Sequence, residues 1–143
     1  MNPALVPLAL ALLVAVATAT GLFWRSRQGR VSQVDGSTVV RVADIPGIRR
    51  FASGATLLQF STEVCGPCVV THKLLDTVAS ERMNVAHVDL DLTHRPDLAS
   101  RFRIMQTPTT LILDRKGVIR ARIGGAPRRE TLSAELDRIL VAA

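Results

Sequence analysis

The chain divides into a continuously hydrophobic N-terminal run and a longer part in which hydrophobic and polar residues alternate. From Pro3 to Trp24 the sequence consists mainly of Ala, Leu and Val, and the first charged side chain is Arg25. At about 1.5 Å per residue in a helix, this run reaches about 33 Å, enough to cross the hydrocarbon core of a bilayer. Phe23 and Trp24 fall where an interfacial aromatic belt would lie. We therefore expect residues 1–27 to form an uncleaved transmembrane anchor.

A cleaved signal peptide is the alternative for this run. A signal peptide carries a positively charged segment ahead of a hydrophobic stretch of about 7–15 residues, and this sequence has neither the charge nor so short a stretch. Three arginines, Arg25, Arg27 and Arg30, follow the run, and the positive-inside rule places that side in the cytoplasm. We expect a single-pass membrane protein with a cytoplasmic domain, and an extracytoplasmic domain is the alternative.

The remainder of the chain has the pattern of a linker followed by one domain. Residues 28–37 are polar and contain Gly and Ser, which is typical of a linker, and residues 38–143 are long enough to enclose a hydrophobic core. We predict strands at Thr38–Val42, Thr56–Phe60, Val85–Leu90, Thr109–Leu113 and Val118–Ile123. We predict helices at Ile45–Phe51, from the Cys65 segment to about Arg82, at Pro96–Phe102 and at Arg129–Val141.

This order of elements predicts an α/β fold in which helices flank a central mixed β-sheet on both faces. The helix after Cys65 is expected to turn one hydrophobic stripe towards the sheet. In such folds, functional residues are favoured at the carboxyl ends of the parallel strands. The predicted stripe consists of Val70, Leu74, Leu75, Val78 and Ala79.

Charge and aromatic content narrow the range of partners. The net charge is +6, with 18 Lys and Arg against 12 Asp and Glu, but half of this excess comes from the three arginines beside the hydrophobic run. Aromatic residues make up 3% of the chain and none is Tyr, so there is little material for stacking on bases. We therefore expect membrane lipid, and no nucleic acid, among the partners.

The two cysteines form a Cys65-Gly66-Pro67-Cys68 segment between a predicted strand and a predicted helix. A cysteine at a helix N-terminus faces free backbone N–H groups and the positive end of the helix dipole, which favour the thiolate. Gly66 allows close approach of the backbone, and Pro67 suits the first helical turn. We expect Cys65 to be the exposed nucleophile and Cys68 the more buried resolving thiol.

The sequence from about Thr38 to Ala143 resembles the thioredoxin family. The similarity rests on the Cys-Gly-Pro-Cys segment after a core strand, the Val-x-x-Val-Asp strand, Thr107-Pro108-Thr109 before a strand, the Lys116-Gly117 hairpin and the Gly124-Gly125 pair. It implies a thioredoxin-like fold, a cis peptide bond at Pro108, and substrate binding at Thr107 and Gly124. It also implies protein substrates with disulfides or dithiols, an electron donor such as a thioredoxin reductase or a membrane dithiol carrier, and no cofactor beyond the Cys65–Cys68 disulfide.

Some positions depart from the family pattern. Val64 stands where the family usually has Trp, and Gln59 stands where it often has a buried Asp that helps to deprotonate the resolving cysteine. His87 aligns with a basic residue near that Asp. Because Gln cannot take up a proton at neutral pH, the candidates for proton transfer around Gln59 are water, His87 and Glu63. For His87, an ordinary hydrogen-bonded strand histidine is the alternative.

A metal site is not expected from the sequence. Cys65, Cys68 and His72 form a C-x2-C-x3-H pattern, but a fourth ligand is missing. The predicted function is a membrane-tethered thiol–disulfide oxidoreductase that uses the Cys-Gly-Pro-Cys dithiol. The alternative is a non-catalytic thioredoxin-like module that binds a partner or senses redox state.

Overall fold

A computed structural model of the protein describes residues 5–34 and 36–142. It begins with helix α1, Leu5–Arg27, which is exposed along its whole length and contains an 18-residue stretch with a mean hydropathy of 2.3. Among the described residues, this is the helix long and apolar enough to cross a membrane, a property that a signal sequence shares. Pro3, where the predicted span begins, lies outside the described residues.

The rest of the chain forms a five-stranded mixed sheet with helices on both faces, which confirms the predicted fold class. The strand order is β1-β5-β4-β2-β3, in which β2 and β3 are parallel and the other neighbours are antiparallel. The strands are β1 Val31–Gln33, β2 Ala55–Ser61, β3 Val85–Asp91, β4 Thr109–Asp114 and β5 Ile119–Gly124. The helices are α2 Gly66–Ser80, α3 Pro96–Arg101 and α4 Arg129–Ala142, and a single 3-10 turn covers Val42–Asp44.

Alternate residues of the interior strand β2 face two separate hydrophobic clusters. Ala55 and Leu57 pack with α2 and α4 on one side, whereas Leu58 and Phe60 pack with α3 and the segment before β2 on the other. This alternation follows from the two-residue period of a strand and explains why β2 is apolar on both faces. Gln59 belongs to the α2 side, so its amide is directed beneath the start of that helix.

Two predicted elements between residues 38 and 51 are wrong. The expected strand Thr38–Val42 is reduced to one isolated bridge between Val39 and Val118. The expected helix Ile45–Phe51 does not form, although Ile45 is buried in the core. Pro46 disfavours the helical conformation at the residue before it, and Ile45 is accordingly extended, with φ −118° and ψ 106°.

The predicted linker of residues 28–37 is also shorter than expected, because β1 lies inside it. Val31 pairs with Ile123 and Gln33 pairs with Ala121, so this stretch forms an edge strand of the sheet. The Gly29 amide donates to the Gly124 carbonyl at 2.8 Å just before the strand begins. The segment that joins α1 to the sheet is therefore only a few residues long.

The hydrophobic stripe of α2 was predicted with one error. Leu75, Val78 and Ala79 are buried as expected, but Val70 is exposed and Thr71 is buried instead. The helix therefore turns the Cys68, Thr71 and Leu75 side to the sheet. This rotation carries Cys68 towards the core.

Candidate active site

The two cysteines lie where β2 ends and α2 begins. Cys65 occupies the N-cap position of α2, with Pro67 in the first turn, and the Cys68 amide donates to the Cys65 carbonyl at 3.0 Å. The sulfur atoms are at disulfide distance, 1.97 Å, and the Cα atoms are 5.2 Å apart. Cys65 is half-buried while Cys68 is 3% exposed, an asymmetry that suits an attacking and a resolving thiol.

A loop containing a cis peptide bond between Thr107 and Pro108 closes one side of the site. The Thr107 hydroxyl lies 3.4 Å from that of Thr62, in the segment that leads to the cysteines. The Pro108 carbonyl accepts a 2.8 Å hydrogen bond from the Gly125 amide, which fixes the loop against the end of β5. Gly124 pairs with Thr109, and a Cβ there would come 2.6 Å from the Gln106 side chain. The structure thus brings the predicted residues Thr107, Pro108 and Gly124 to the dithiol end of the sheet.

Exposed apolar side chains surround the cysteine pair. Val64 is 98% exposed, and Met105, which lines a cleft together with Thr62 and Thr107, is 93% exposed. Gly66 and Pro67 are exposed as well. A cavity of about 310 Å³ opens beside the cysteines, lined by Ser61, Thr62, Cys65, Cys68, Val69, His72, Lys73 and Asp89.

The buried Gln59 side chain connects the cysteine turn to β3. Its amide nitrogen donates to the Cys68 carbonyl at 3.0 Å, and its amide oxygen lies 3.1 Å from Nε2 of His87. Gln59 is fully buried, and its two polar atoms both have partners. Gln59 is therefore hydrogen-bonded both to the Cys68 backbone and to His87, one of the predicted candidates for proton transfer.

A wider polar cluster extends from His87 to the surface of α2 and β3. Nδ1 of His87 lies 2.6 Å from Oδ1 of Asp76, whose second oxygen is 3.4 Å from Nε2 of His72. The hydrogen bond with His87 is the main cause that lowers the pKa of Asp76; burial opposes it, and the charges of His87 and His72 contribute smaller lowering effects. Nδ1 of His72 lies 2.8 Å from Oδ2 of Asp89.

Sequence reasoning missed Asp76 and Asp89 as members of this region. Asp76 reaches His87, and Asp89 reaches His72, only when α2 packs on β3. The i, i+4 spacing of His72 and Asp76 on one helix was the available signal. Glu63, the remaining proton-transfer candidate, is exposed, and its backbone amide donates to the Thr93 hydroxyl at 2.9 Å.

These features define an α/β domain with a redox cysteine pair at a helix N-terminus beside a cis-proline loop. The family model for thioredoxin matches residues 47–138, which is more than half of the chain. The protein belongs to the thioredoxin family.

Individual relatives agree with this assignment. Thioredoxin from Staphylococcus aureus strain Mu50 / ATCC 700699 is 29% identical over 103 residues, covering 71% of this chain and 98% of the relative. Thioredoxin from strain USA300 gives the same values. Among solved structures, chloroplastic thioredoxin z matches with a TM-score of 0.56 and 27% identity over 64% of this chain and 81% of its own. A malarial protein matches with a TM-score of 0.55 over 61% of this chain and 98% of its own, and at 22% identity it supports the fold alone.

Proposed function

We propose that this protein is a membrane-tethered thiol–disulfide oxidoreductase acting on protein disulfides close to the bilayer. The observation that carries the proposal is the Cys65–Cys68 pair at the N-terminus of α2, next to the cis bond before Pro108. The N-terminal backbone groups of α2 favour the thiolate of Cys65 when the pair is reduced. The family generally requires no cofactor, and the cysteine pair supplies the two electrons itself.

The reaction proceeds by two successive exchanges. The Cys65 thiolate attacks one sulfur of a substrate disulfide, forming a mixed disulfide and expelling the other substrate sulfur as a thiolate. Cys68 then loses its proton and attacks the Cys65 sulfur, which releases the second substrate sulfur and leaves the Cys65–Cys68 disulfide. The substrate gains two electrons, and two protons complete its thiols. A thioredoxin reductase or a membrane dithiol carrier returns the pair to its reduced form.

Gln59 and His87 serve this reaction by positioning the first turn of α2. The Gln59 amide donates to the Cys68 carbonyl and is itself held by His87. A glutamine side chain cannot accept the Cys68 proton at neutral pH. In our proposal this proton passes to water in the cavity beside Cys68, whose lining includes the Asp89 carboxylate. The exposed Glu63 is the carboxylate in the loop before Cys65.

Protein substrates dock on the apolar surface around the cysteines. Exposed apolar groups at Val64 and Met105 offer contact area to an incoming chain. Thr107, ahead of the cis bond, and Gly124, at the end of β5, border the approach to Cys65. We propose that the backbone at Thr107 pairs with the substrate chain, as it does in the family.

The short connection from α1 supports a site held close to the membrane. Phe60, Thr109 and Gly124 lie opposite one another in adjacent strands, so the end of β5 is about 10 Å from the strand that leads to Cys65. The Gly29 amide binds the Gly124 carbonyl, two residues after α1 ends. The tether therefore enters the domain at its dithiol end, and in our proposal this end faces the bilayer.

Our proposal places the domain on the cytoplasmic side of the membrane. Arg25, Arg27 and Arg30 at its C-terminal end favour a cytoplasmic domain. Alkylation of Cys65 in intact cells tests this. A membrane-impermeant maleimide should modify the reduced protein only after the cells are opened, whereas labelling of intact cells would place the domain outside. Loss of α1 from the mature protein, seen by mass spectrometry, would contradict the tether.

The activity is tested with the full chain purified in detergent micelles. We expect it to accelerate reduction of insulin by dithiothreitol, and Cys65→Ser should lower the rate to that of dithiothreitol alone. Cys68→Ser should retain attack and accumulate a mixed disulfide with its substrate, which gel electrophoresis without reductant detects. If the wild-type chain leaves the rate unchanged and Cys68→Ser traps nothing, the non-catalytic binding module is the correct function.

A further inference from the structure

His72, Asp76 and His87 form a cluster, and the reaction described above uses only the Nε2 side of His87, which holds Gln59. His72 and Asp76 are one turn apart on α2, and His87 projects from β3 beneath them. The side-chain nitrogen or oxygen atoms that they offer lie within 4.8 Å of one another. The two imidazole rings meet edge to face, with centroids 4.8 Å apart.

The hydrogen bonds around His87 determine which of its nitrogens carries a proton. The Cys68 carbonyl can only accept, so the Gln59 group facing it must be the NH2, and the Gln59 oxygen is turned to Nε2 of His87. Nε2 is consequently the donor, and in neutral His87 the lone pair is on Nδ1. That lone pair is directed at Oδ1 of Asp76 over 2.6 Å. Because a carboxylate oxygen can only accept, this contact requires either a second proton on His87, at Nδ1, or a metal ion that binds both atoms.

The same reasoning applies to His72. Its Nδ1 faces Oδ2 of Asp89 at 2.8 Å, and a carboxylate oxygen can only accept. Nδ1 is therefore protonated, and the lone pair of neutral His72 is on Nε2, facing the second oxygen of Asp76 at 3.4 Å. Both imidazole lone pairs thus converge on one carboxylate. One metal ion could bind both nitrogens and the carboxylate at once, whereas protons would have to be added to each histidine separately.

We propose that His72, Asp76 and His87 form a binding site for a divalent transition-metal ion such as Zn²⁺. Nε2 of His72, Nδ1 of His87 and an oxygen of Asp76 are the ligands, and a fourth position is open to water or an external ligand. Two imidazoles with one carboxylate favour Zn²⁺ and its neighbours over Mg²⁺ or Ca²⁺. Bonds of about 2.0–2.1 Å require the ligand atoms to be about 3.4 Å apart in a tetrahedron, which is the separation between His72 and Asp76. The 2.6 Å between His87 and Asp76 has to lengthen and the largest separation, 4.8 Å, has to shorten when an ion binds.

The surroundings of the cluster are those of a metal site. Each histidine is held through its other nitrogen, His72 by Asp89 and His87 by Gln59, which is the arrangement that orients ligating histidines. His87 is a fixed ligand, with a side chain only 3% exposed, whereas those of His72 and Asp76 are 44% and 61% exposed and can adjust to a metal ion. Asp89 is in turn bonded by the Ser61 hydroxyl at 2.5 Å.

This site differs from the one that the sequence pattern offered. The C-x2-C-x3-H pattern combined His72 with the two cysteines, whose sulfur atoms are instead at disulfide distance. The ligands proposed here come from one helix and one strand separated by a loop. The disulfide form therefore keeps the complete ligand set, and binding can be tested apart from redox activity.

Titration of the oxidised, chelator-treated full chain in detergent micelles with Zn²⁺ tests the proposal by calorimetry. We expect one Zn²⁺ per chain, and Co²⁺ in its place should produce visible d–d absorption. His72→Asn and Asp76→Asn should each weaken binding by at least about 10-fold because each removes a ligand. Asp89→Ala should weaken it by about 10-fold through loss of the group that orients His72.

His94→Asn provides the matched control, since His94 is an exposed histidine outside the cluster. Its affinity for Zn²⁺ should equal that of the wild type. Absence of saturable binding to the wild type would overturn the proposal. Binding of equal strength in His72→Asn and Asp76→Asn would also overturn it, because the ion would then be held elsewhere.

Discussion

The two ends of the sheet differ in the charge of the polar side chain that each one buries. At the dithiol end, the neutral amide of Gln59 is fully buried beneath Cys68. At the other end, the carboxylate of Asp114 is buried in the hairpin between β4 and β5. It accepts bonds from the Lys116 and Val118 amides at 2.9 and 3.0 Å and from the Arg120 guanidinium at 2.8 Å. A charged carboxylate thus holds the hairpin end by its hydrogen bonds, and a neutral amide holds the dithiol end.

This difference indicates that the buried group at the hairpin end contributes mainly to folding stability, whereas the one at the dithiol end orders the residues around the reacting cysteines. A buried charge is tolerated where several donors can compensate for it, and the Asp114 turn supplies them. At the dithiol end, the same face of the sheet carries the uncharged side chain of Gln59. Gln59 therefore orders the backbone at Cys68 without placing a buried carboxylate next to it. Substitutions at the two ends should therefore affect different measurements.

Asp114→Asn should produce the larger loss of stability. The amide keeps one acceptor but loses the charge that binds Arg120, so we expect the free energy of unfolding to fall by about 1.5–3 kcal/mol. Denaturant unfolding of the full chain in micelles, followed by circular dichroism, measures this. The exposed Asp137→Asn, which breaks an ion pair with Arg82, should cost no more than about 0.5 kcal/mol. Equal losses in both variants would contradict the special role of the hairpin.

The pH dependence of stability should reveal the same carboxylate. Burial raises the pKa of Asp114, but the hydrogen bonds from Val118, Arg120 and Lys116 outweigh burial and lower it below the ordinary 3.8. A group with a depressed folded-state pKa contributes its stability above the unfolded value and loses it as the pH falls through the folded value. The stability difference between wild type and Asp114→Asn should therefore be constant above about pH 5 and shrink below about pH 4. A difference that persists undiminished into acid would exclude this carboxylate as its source.

Gln59→Leu should have a smaller effect on stability and a clearer one on the reaction. It leaves the Cys68 carbonyl without its donor and Nε2 of His87 without its acceptor, so we expect a loss of about 1–2 kcal/mol. Insulin reduction should also slow, because the first turn of α2 is less firmly held. Thr110→Val is the matched control, since the buried Thr110 hydroxyl has no hydrogen-bond partner among the described residues. A reaction rate in Gln59→Leu equal to that of Thr110→Val would remove Gln59 from the positioning role.

The sequence predicted those parts of the fold whose signals are local. The four core strands and α2 and α4 carry clear hydrophobic periods, and the Cys-Gly-Pro-Cys segment identifies its own helix start. Strand β1 could not be predicted, because Val31–Gln33 is short and mostly polar, and it is a strand only through its pairing with β5. The link from Gln59 through His87 to Asp76 depends on α2 packing on β3, which no local pattern encodes.

Two exposed methionines, one at each end of the sheet, allow substrate docking at the two ends to be compared. Met105 lies beside the cis-proline loop, whereas Met83 precedes β3 at the hairpin end, and both are almost fully exposed. If substrates dock on the apolar surface around Cys65, only Met105 becomes buried during the reaction. Met105→Ser should then raise the KM for a protein disulfide by a few-fold, which corresponds to partial burial of one apolar side chain, about 1 kcal/mol.

Met83→Ser should leave this KM unchanged, because the hairpin end does not meet the substrate. Both variants should unfold at the wild-type denaturant concentration, since neither methionine belongs to the hydrophobic clusters. Reduction of a small disulfide that has no protein surface should be equally fast in all three proteins. A rise in KM shared by both variants would mean that general surface hydrophobicity, rather than the position of Met105, governs docking.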